Sequence, residues 1–250
     1  MRGLHGKNVI VTGGGGAIGG AICRRFADYG AKVGVFDKNL EGAKKVAQEI
    51  KGFASGVDIT NYEAVGKAIA QFEKDAGPTD ILVNNAGWDK FVSFVDTTPE
   101  LWNQVIAINL HGPLNMSHVV LKGMVTRGHG RVVNIASDAG RVGSSLEAVY
   151  SACKGGIIAF TKTVAREVAR KGITLNTVCP GPTDTPLLAA VAGADERGQK
   201  IRAALVSAIP MKRVGQPDDI PGAVCFLASD DAAFITGQTI SVSGGLTMHG

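Results

Sequence analysis

Cysteine is scarce and scattered: Cys23, Cys153, Cys179 and Cys225 form no C-x-x-C pair and are not clustered with histidines. That spacing argues against a zinc site and a disulfide framework, so no metal is expected and a reducing cytoplasm fits best. Long apolar runs are missing too, none approaching the roughly 18 residues that a bilayer-spanning helix needs. From MRGLHGK the chain enters the apolar NVIVT within a few residues, leaving no room for a signal peptide's n-region, h-region and cleavage site. The expectation is a cytoplasmic, unexported protein with no membrane partner. An excess of one charge is also lacking: the net charge is +4 and the Lys and Arg residues are dispersed, so no nucleic-acid stripe is present.

What the chain does have is glycine, 34 of 250 residues, gathered where strand-like runs give way to helical patterns rather than in a repeat. With 45% hydrophobic residues it reads as a single domain over 1–250. Apolar β-branched runs alternate with helical periodicities throughout, which predicts an α/β fold, a doubly wound parallel sheet with helices on both faces.

The richest stretch is SDAGRVGSSLEAVYSACK, from Ser137 to Lys154. Ser137 follows the apolar run VVNIA, at the carboxyl edge where open α/β sheets bind ligands. Tyr150 and Lys154 are spaced i, i+4 on a helix, so the ammonium can lie beside the phenol and favour its phenolate. A phenol of pKa about 10 is otherwise a poor base at neutral pH. A half-buried aromatic beside a snorkelling lysine is the bland alternative.

Near the N-terminus, strand, glycine loop and helix follow one another, with Gly14, Gly16 and Gly19 meeting a G-x-G-x-x-G pattern. In that context the loop lets the backbone approach a pyrophosphate at the helix start. The strand Lys32–Phe36 ends in Asp37, about twenty residues beyond the loop, where a carboxylate takes the ribose hydroxyls of an adenosine. An N-cap for the helix from Leu40 to Ile50 is an equally natural use of Asp37. Its charge opposes a 2′-phosphate by about 4 kcal/mol per unit charge at 4 Å and an effective dielectric near 20, before screening. Lys38 offsets part of this, and NAD is favoured over NADP.

Asn84-Asn85-Ala86-Gly87 ends a fourth strand, either as a close-approach loop or as an ordinary turn. A long helical region from Pro99 toward Met124 carries Asn109 in apolar surroundings, where an asparagine is more often a structural bridge. The helix from Glu147 to Arg170 is apolar nearly all round between Ala152 and Phe160, so its outer face is expected to meet another subunit. After the strand Ile173–Val178 comes the rigid loop CPGPTDTP, then a stretch at 186–208, interrupted by Gly193 and Gly198, that reads as a substrate lid.

Taken together, TGGGGAIG at Thr12 to Gly19, NNAG at Asn84 to Gly87, Asn109, Ser137 with YSACK, and PGPTDT at Pro180 to Thr185 resemble the short-chain dehydrogenase/reductase family over the whole length. The resemblance implies a Rossmann-type sheet of about seven strands and an NAD-dependent alcohol dehydrogenase, most often a homotetramer. It implies Tyr150 as general acid/base, Lys154 as nicotinamide-ribose ligand that lowers the Tyr150 pKa, Ser137 as orienter of the substrate oxygen and Asn109 as holder of a relay water. Gly13, Gly15, Gly16 and Ile18 would line the phosphates and ribose, Asp37 the adenosine ribose, and Asp58 with Ile59 the adenine. Asn85, Ala86 and Gly87 would flank the ribose bridge, and Pro180, Gly181, Thr183 and Thr185 would seat the carboxamide. The chain departs from the family's pattern at Ala17, usually glycine, and at Ser243, usually aspartate.

For substrate, Trp88, Leu187 and Leu188 are placed to wall the space beside Ser137 and Tyr150, pointing to a hydrophobic secondary alcohol rather than a sugar; Trp88 as core packing is the alternative. Within the family, NNAGWD, NIASDAGRVGSS and VSGGLTMHG look most like 2-hydroxycyclohexanecarboxyl-CoA dehydrogenases. Arg141 would then meet a CoA phosphate, or else be a solvated loop arginine. Cyclic or aryl alcohols without CoA and 3-oxoacyl thioesters are the other substrates the sequence allows. A nucleotide-binding subunit without activity is disfavoured by the intact set of Asn109, Ser137, Tyr150 and Lys154.

Overall fold

The structure, a computed structural model, describes residues 1–191, 193 and 195–248. Its first half is built by alternation of apolar residues. In β1 (Asn8–Thr12), Val9 and Val11 face one side of the sheet and Ile10 the other, since successive strand side chains point oppositely. Val9 and Val11 meet Ile22, Cys23 and Phe26 of α1 (Ala17–Asp28), then Val33 and Val35 of β2 (Lys32–Asp37) and Ala43, Val46 and Ala47 of α2 (Leu40–Ile50). The opposite face takes Ile10 and Phe36 beyond β3 (Phe53–Gly56) onto Val65, Ile69 and Phe72 of α3 (Tyr62–Ala76). There Phe72 meets Phe36 and Phe53 edge-on, with centroids 6.1 and 5.6 Å apart. Such pairs contribute about 0.5–1.5 kcal/mol each beyond burial.

The second half continues with β4 (Ile81–Asn84), α4 (Pro99–Ile106), α5 (Gly112–Arg127), β5 (Gly130–Ile135), the one-turn α6 (Ala139–Val142), α7 (Ala148–Val168) and β6 (Ile173–Pro180). It closes with α8 (Pro186–Val191), α9 (Glu196–Ala208), α10 (Pro221–Ala228) and β7 (Thr239–Val242). Seven strands pair in parallel in the order β3-β2-β1-β4-β5-β6-β7. The order reverses between β1 and β4, so the crevice outside their carboxyl ends is where an open sheet of this kind receives a ligand.

Three expectations are adjusted. The helix from Pro99 toward Met124 is not one α-helix: between α4 and α5, Ala107–His111 form a π-helical turn holding Asn109. Asp37 does not cap α2; Asn39 does, its side chain accepting from Gly42 N. The stretch 186–208 divides into α8 and α9, with residues 192 and 194 outside the described residues. Asp195 caps α9 by accepting from Gly198 N, so Gly198 lies inside a helix rather than breaking one.

Candidate active site

The loop after β1 turns at Gly13, whose φ of +63° suits glycine. A Cβ there would also come within 2.9 Å of Ala86 Cα, so the loops after β1 and β4 touch at a point only hydrogen atoms can fill. Thr12 fastens the two: its Oγ1 accepts from Asn85 N at 3.0 Å and Ala86 N at 3.1 Å, while Asn85 Nδ2 donates to Thr12 O at 3.0 Å. Beneath them, Asn84 Nδ2 donates to Asn134 Oδ1 and Asn134 Nδ2 to Thr161 Oγ1, both at 2.8 Å, linking β4 through β5 to α7.

The α1 N-terminus begins at this loop with no side-chain cap at Gly16 and no acidic residue in its first turn. By contrast α2, α3 and α9 are capped by Asn39, Asn61 and Asp195. A helix start left open above glycines is a ready seat for a phosphate. Gly13, Gly15, Gly16 and Ile18 all lie on this loop and first turn. Asp37 sits against it, one carboxylate oxygen accepting from Gly15 N at 3.0 Å and the other from Asn39 N at 2.8 Å. Lys38 turns away to pair with Asp58 at 2.8 Å. It therefore offsets the Asp37 charge less than its sequence position suggests. Asp58 and the buried Ile59 follow β3 on the same side of the crevice.

On the other side, α7 buries Cys153, Lys154, Ile157, Thr161, Ala165 and Val168, a stripe at helical spacing that carries Lys154 inward. Only 3% of Lys154 is exposed. Its Nζ donates to Ile135 O at 3.0 Å and lies 5.4 Å from the Tyr150 ring centroid. Ser137, just beyond β5, lies near enough to the Tyr150 hydroxyl to favour its ionised form, and its Oγ accepts from Ala139 N at 3.1 Å. The expected lowering of the Tyr150 pKa is not found in this arrangement. Burial pushes the phenol up, the nearby Glu147 carboxylate pushes the same way, and the Ser137 hydroxyl opposes them only in part. The physical reason is that the ammonium is directed at a carbonyl and is itself desolvated, its pKa lowered to about 8. Tyr150 is thus poised as a proton donor.

Asn109 is wholly buried and bridges, as asparagines in apolar surroundings do. Its Nδ2 donates to Trp88 O at 2.6 Å and Val105 O at 2.9 Å, and its Oδ1 accepts from Trp88 N at 3.2 Å. These bonds fix the chain just past Gly87, where a Cβ would stand 3.0 Å from Asn109 Oδ1 and 3.3 Å from Lys154 Nζ. Close approach of three segments is what that glycine permits. The loop after β6 lies alongside: Asp138 N donates to Pro180 O at 3.2 Å, Gly181 N to Val242 O at 3.0 Å, and Thr183 Oγ1 to Gly181 O at 2.9 Å. Thr185 Oγ1 donates to Thr183 O at 3.3 Å and accepts from Leu188 N at 3.4 Å, which starts α8 with Leu187 and Leu188 half-buried. Trp88 is half-buried as well. Arg141 is not a solvated loop side chain; its Nη1 donates to Ser241 Oγ at 2.8 Å.

Sequence reasoning missed two carboxylates here. Asp89 is buried next to Trp88 in the chain, and Glu147, which immediately precedes α7, accepts from Ser144 Oγ. The available signal was an aspartate next to NNAGW with no turn to explain it.

A doubly wound sheet with these loops at its carboxyl edge defines a nucleotide-binding oxidoreductase, and the family model described as enoyl-(acyl carrier protein) reductase matches residues 15–247. The chain belongs to the short-chain dehydrogenase/reductase family. It is 43% identical over 242 residues to the acetoacetyl-CoA reductase of Rhizobium meliloti (strain 1021), covering 94% of this chain and 96% of that protein. It is 38% identical over 247 residues to the 3-oxoacyl-[acyl-carrier-protein] reductase of Vibrio cholerae, covering 98% and 99%. The aldohexose dehydrogenase of Thermoplasma acidophilum superposes with a TM-score of 0.90 at 33% identity, covering 99% of this chain and 96% of that one. The resemblance to 2-hydroxycyclohexanecarboxyl-CoA dehydrogenases is therefore supported at the level of the family, with thioester reductases among the similar proteins.

Proposed function

We propose that this protein is an NAD-dependent oxidoreductase that moves a hydride between the carbinol carbon of a hydrophobic hydroxyacyl thioester and the nicotinamide cofactor, interconverting the alcohol and the corresponding ketone. The observation that carries the reading is Tyr150 beside Ser137, with buried Lys154 one helical turn on and its ammonium 5.4 Å from the Tyr150 ring centroid, at the sheet's carboxyl edge. The residues present fit a dinucleotide: an uncapped α1 start for the pyrophosphate, Asp37 for the adenosine ribose, Asp58 and Ile59 for the adenine. Asn85, Ala86 and Gly87 would hold the ribose bridge, and Pro180, Gly181, Thr183 and Thr185 the nicotinamide end. NAD supplies the hydride acceptor when bound.

Tyr150 gives its phenolic proton to the substrate oxygen in reduction and takes it back in oxidation. Ser137 hydrogen-bonds that oxygen and orients it. Lys154, buried one helical turn from Tyr150, would hold the nicotinamide ribose, and Asn109 holds the Gly87–Trp88 chain against it. Trp88, Leu187 and Leu188 offer apolar surface to the acyl part. A cyclic acyl group, as in 2-hydroxycyclohexanecarboxyl-CoA, is our first choice, and a linear 3-oxoacyl thioester is favoured as second reading by the names of the relatives. A cytoplasmic setting fits four cysteines that are all free and buried, and among the described residues no helix is long and apolar enough to cross a membrane.

The test is kcat/KM with NAD or NADH on 2-hydroxycyclohexanecarboxyl-CoA, the free cyclic alcohol, 3-hydroxybutyryl-CoA and an aldose. We expect a CoA thioester to exceed the free alcohol and the aldose by at least about tenfold. Preference for the aldose overturns the apolar-pocket reading, and a free alcohol equal to its thioester removes the CoA part.

The protein is expected to be a homotetramer. Leu121, Val125, Phe160 and Val164 line a groove of about 890 Å³ between α5 and α7, on the helix whose outer face reads as an interface, and β7 is a sheet edge. Sedimentation velocity at micromolar concentration checks this; a single monomeric species refutes it.

A further inference from the structure

Asp138 follows Ser137 directly and is 5% exposed. A carboxylate taken out of water is costly unless donors reach it. Among the described residues it has a single donor, the Ser241 hydroxyl, which bonds Oδ1, while Oδ2 is buried with no hydrogen-bond partner. Ser241 Oγ in turn accepts from Arg141 Nη1 at 2.8 Å. An arginine can only donate, so the hydroxyl proton is left for the carboxylate, and the order Arg141 to Ser241 to Asp138 is fixed. Each of the two bonds has one charged member, which makes it of the stronger kind.

The places of these residues in the fold give the bridge its reach. Asp138 and Arg141 are spaced i, i+3 on α6, whose amides at Arg141 and Val142 donate to Asp138 O at 2.9 and 3.0 Å. Ser137 is tied to the same turn, its Oγ accepting from Ala139 N at 3.1 Å and its carbonyl from Gly140 N at 3.0 Å. A helix of four residues cannot hold its own place, so cross-links must set where this turn sits. Ser241 supplies one from β7, where it stands in register with Cys179 of β6. The bridge therefore runs from the loop after β5, over the end of β6, to the edge strand of the sheet. Beneath it, Asp138 N donates to Pro180 O at 3.2 Å. Gly181 is packed tightly there: a Cβ would stand 2.7 Å from Ser243 Cβ and 3.7 Å from Asp138 Oδ2.

We infer that Asp138 and Arg141 are positioning residues that act through Ser241 to hold Ser137 in place against the loop after β6. The inference rests on the proposed role of Ser137 in orienting the substrate oxygen. It places the Arg141 guanidinium in the internal support of the site rather than at a CoA phosphate.

The first test is amide hydrogen exchange, followed by NMR on the cofactor-free full-length protein. In Ser241→Ala, exchange at Asp138, Arg141 and Val142 should quicken by at least about tenfold while β5 stays protected, because a charge-assisted bond to this turn is lost. The second is kinetic, on the best substrate of the panel above. Ser241→Ala should lower kcat by at least about tenfold, within the about hundredfold that a misplacement of about 1 Å can cost. The bond from Gly181 N to Val242 O is untouched, so the Kd for NADH should change less than about twofold. In a Ser137→Ala background the same substitution should lower kcat by less than about twofold more, since the group it positions is gone. Arg141→Met should lower kcat equally on the CoA thioester and on the N-acetylcysteamine thioester of the same acid, which has no phosphate. Loss of a phosphate contact would instead raise KM for the CoA thioester alone.

Unchanged exchange at Asp138 in Ser241→Ala overturns the inference, and so do equal losses of kcat with and without the Ser137 hydroxyl. An Arg141→Met variant altered only in its KM for the CoA thioester overturns it as well. Should Ser241→Ala not fold, Arg141→Met, at a half-buried position, carries both the exchange and the kinetic decision. The exchange measurement involves no substrate, so its failure is distinct from failure of the substrate panel, which bears on the proposed reaction alone.

Discussion

Tyr150→Phe should lower kcat about a thousandfold, within the range that loss of a positioned general acid or base produces, while leaving the affinity for NAD nearly unchanged. The ring stays in place and only the hydroxyl is removed, so the change acts on the one atom that exchanges a proton with substrate. The cost to the fold is small, because no more than one neutral hydrogen bond's worth of stability, about 1 kcal/mol, is at stake when a hydroxyl is removed and the ring kept. Steady-state kinetics together with NADH fluorescence titration separates the two effects. A variant that kept more than a few per cent of the wild-type rate would remove Tyr150 from the chemistry.

Asp37→Ala should narrow the preference for NAD over NADP by at least about tenfold, well inside the roughly 4 kcal/mol that one unit of like charge at 4 Å represents before screening. Lys38 is engaged with Asp58 at 2.8 Å, which leaves the carboxylate as the dominant charge beside the ribose position. The same substitution deletes the acceptor for Gly15 N, so part of the change should appear as a raised KM for NAD with kcat little altered. Measuring kcat/KM for both cofactors in wild type and variant decides it. A wild-type protein using NADP as well as NAD would sink the assignment.

The sheet was legible because its parallel strands are buried on both faces: Val9, Ile10 and Val11 had to be apolar whichever side they faced. The loops were legible because their chemistry is local, as in the Gly13 turn and the Tyr150 and Lys154 pair on adjacent helical turns. What could not be read depends on which distant segment a side chain meets. Lys154 finds the Ile135 carbonyl, Lys38 finds Asp58, and Asp89 is enclosed by Leu146 and Glu147, contacts that no spacing along the chain encodes. The Tyr150 pKa was misjudged for that reason, since the spacing supplied a neighbour but not the direction of its ammonium. The turn at Ala107–His111 escaped because Asn109 sits in an apolar stretch that reads as one continuous helix, and the widening depends on its bonds to Trp88, a distant segment.

That turn also bears on how the chain can change in length. A π turn holds one residue more than the α-helix it interrupts, so deleting a residue among 107–111 would let α4 run straight into α5 with every later hydrogen bond intact. Helix content would register little, but stability would fall, by about 1–3 kcal/mol for each buried polar group left unpaired. Each residue advances an α-helix by about 100°, and the Asn109 amide would swing off Trp88, freeing the strand of backbone that carries Gly87 and Asp89 past Lys154. Loops elsewhere on the surface tolerate changes of length more readily, whereas this short helical segment fixes its own count.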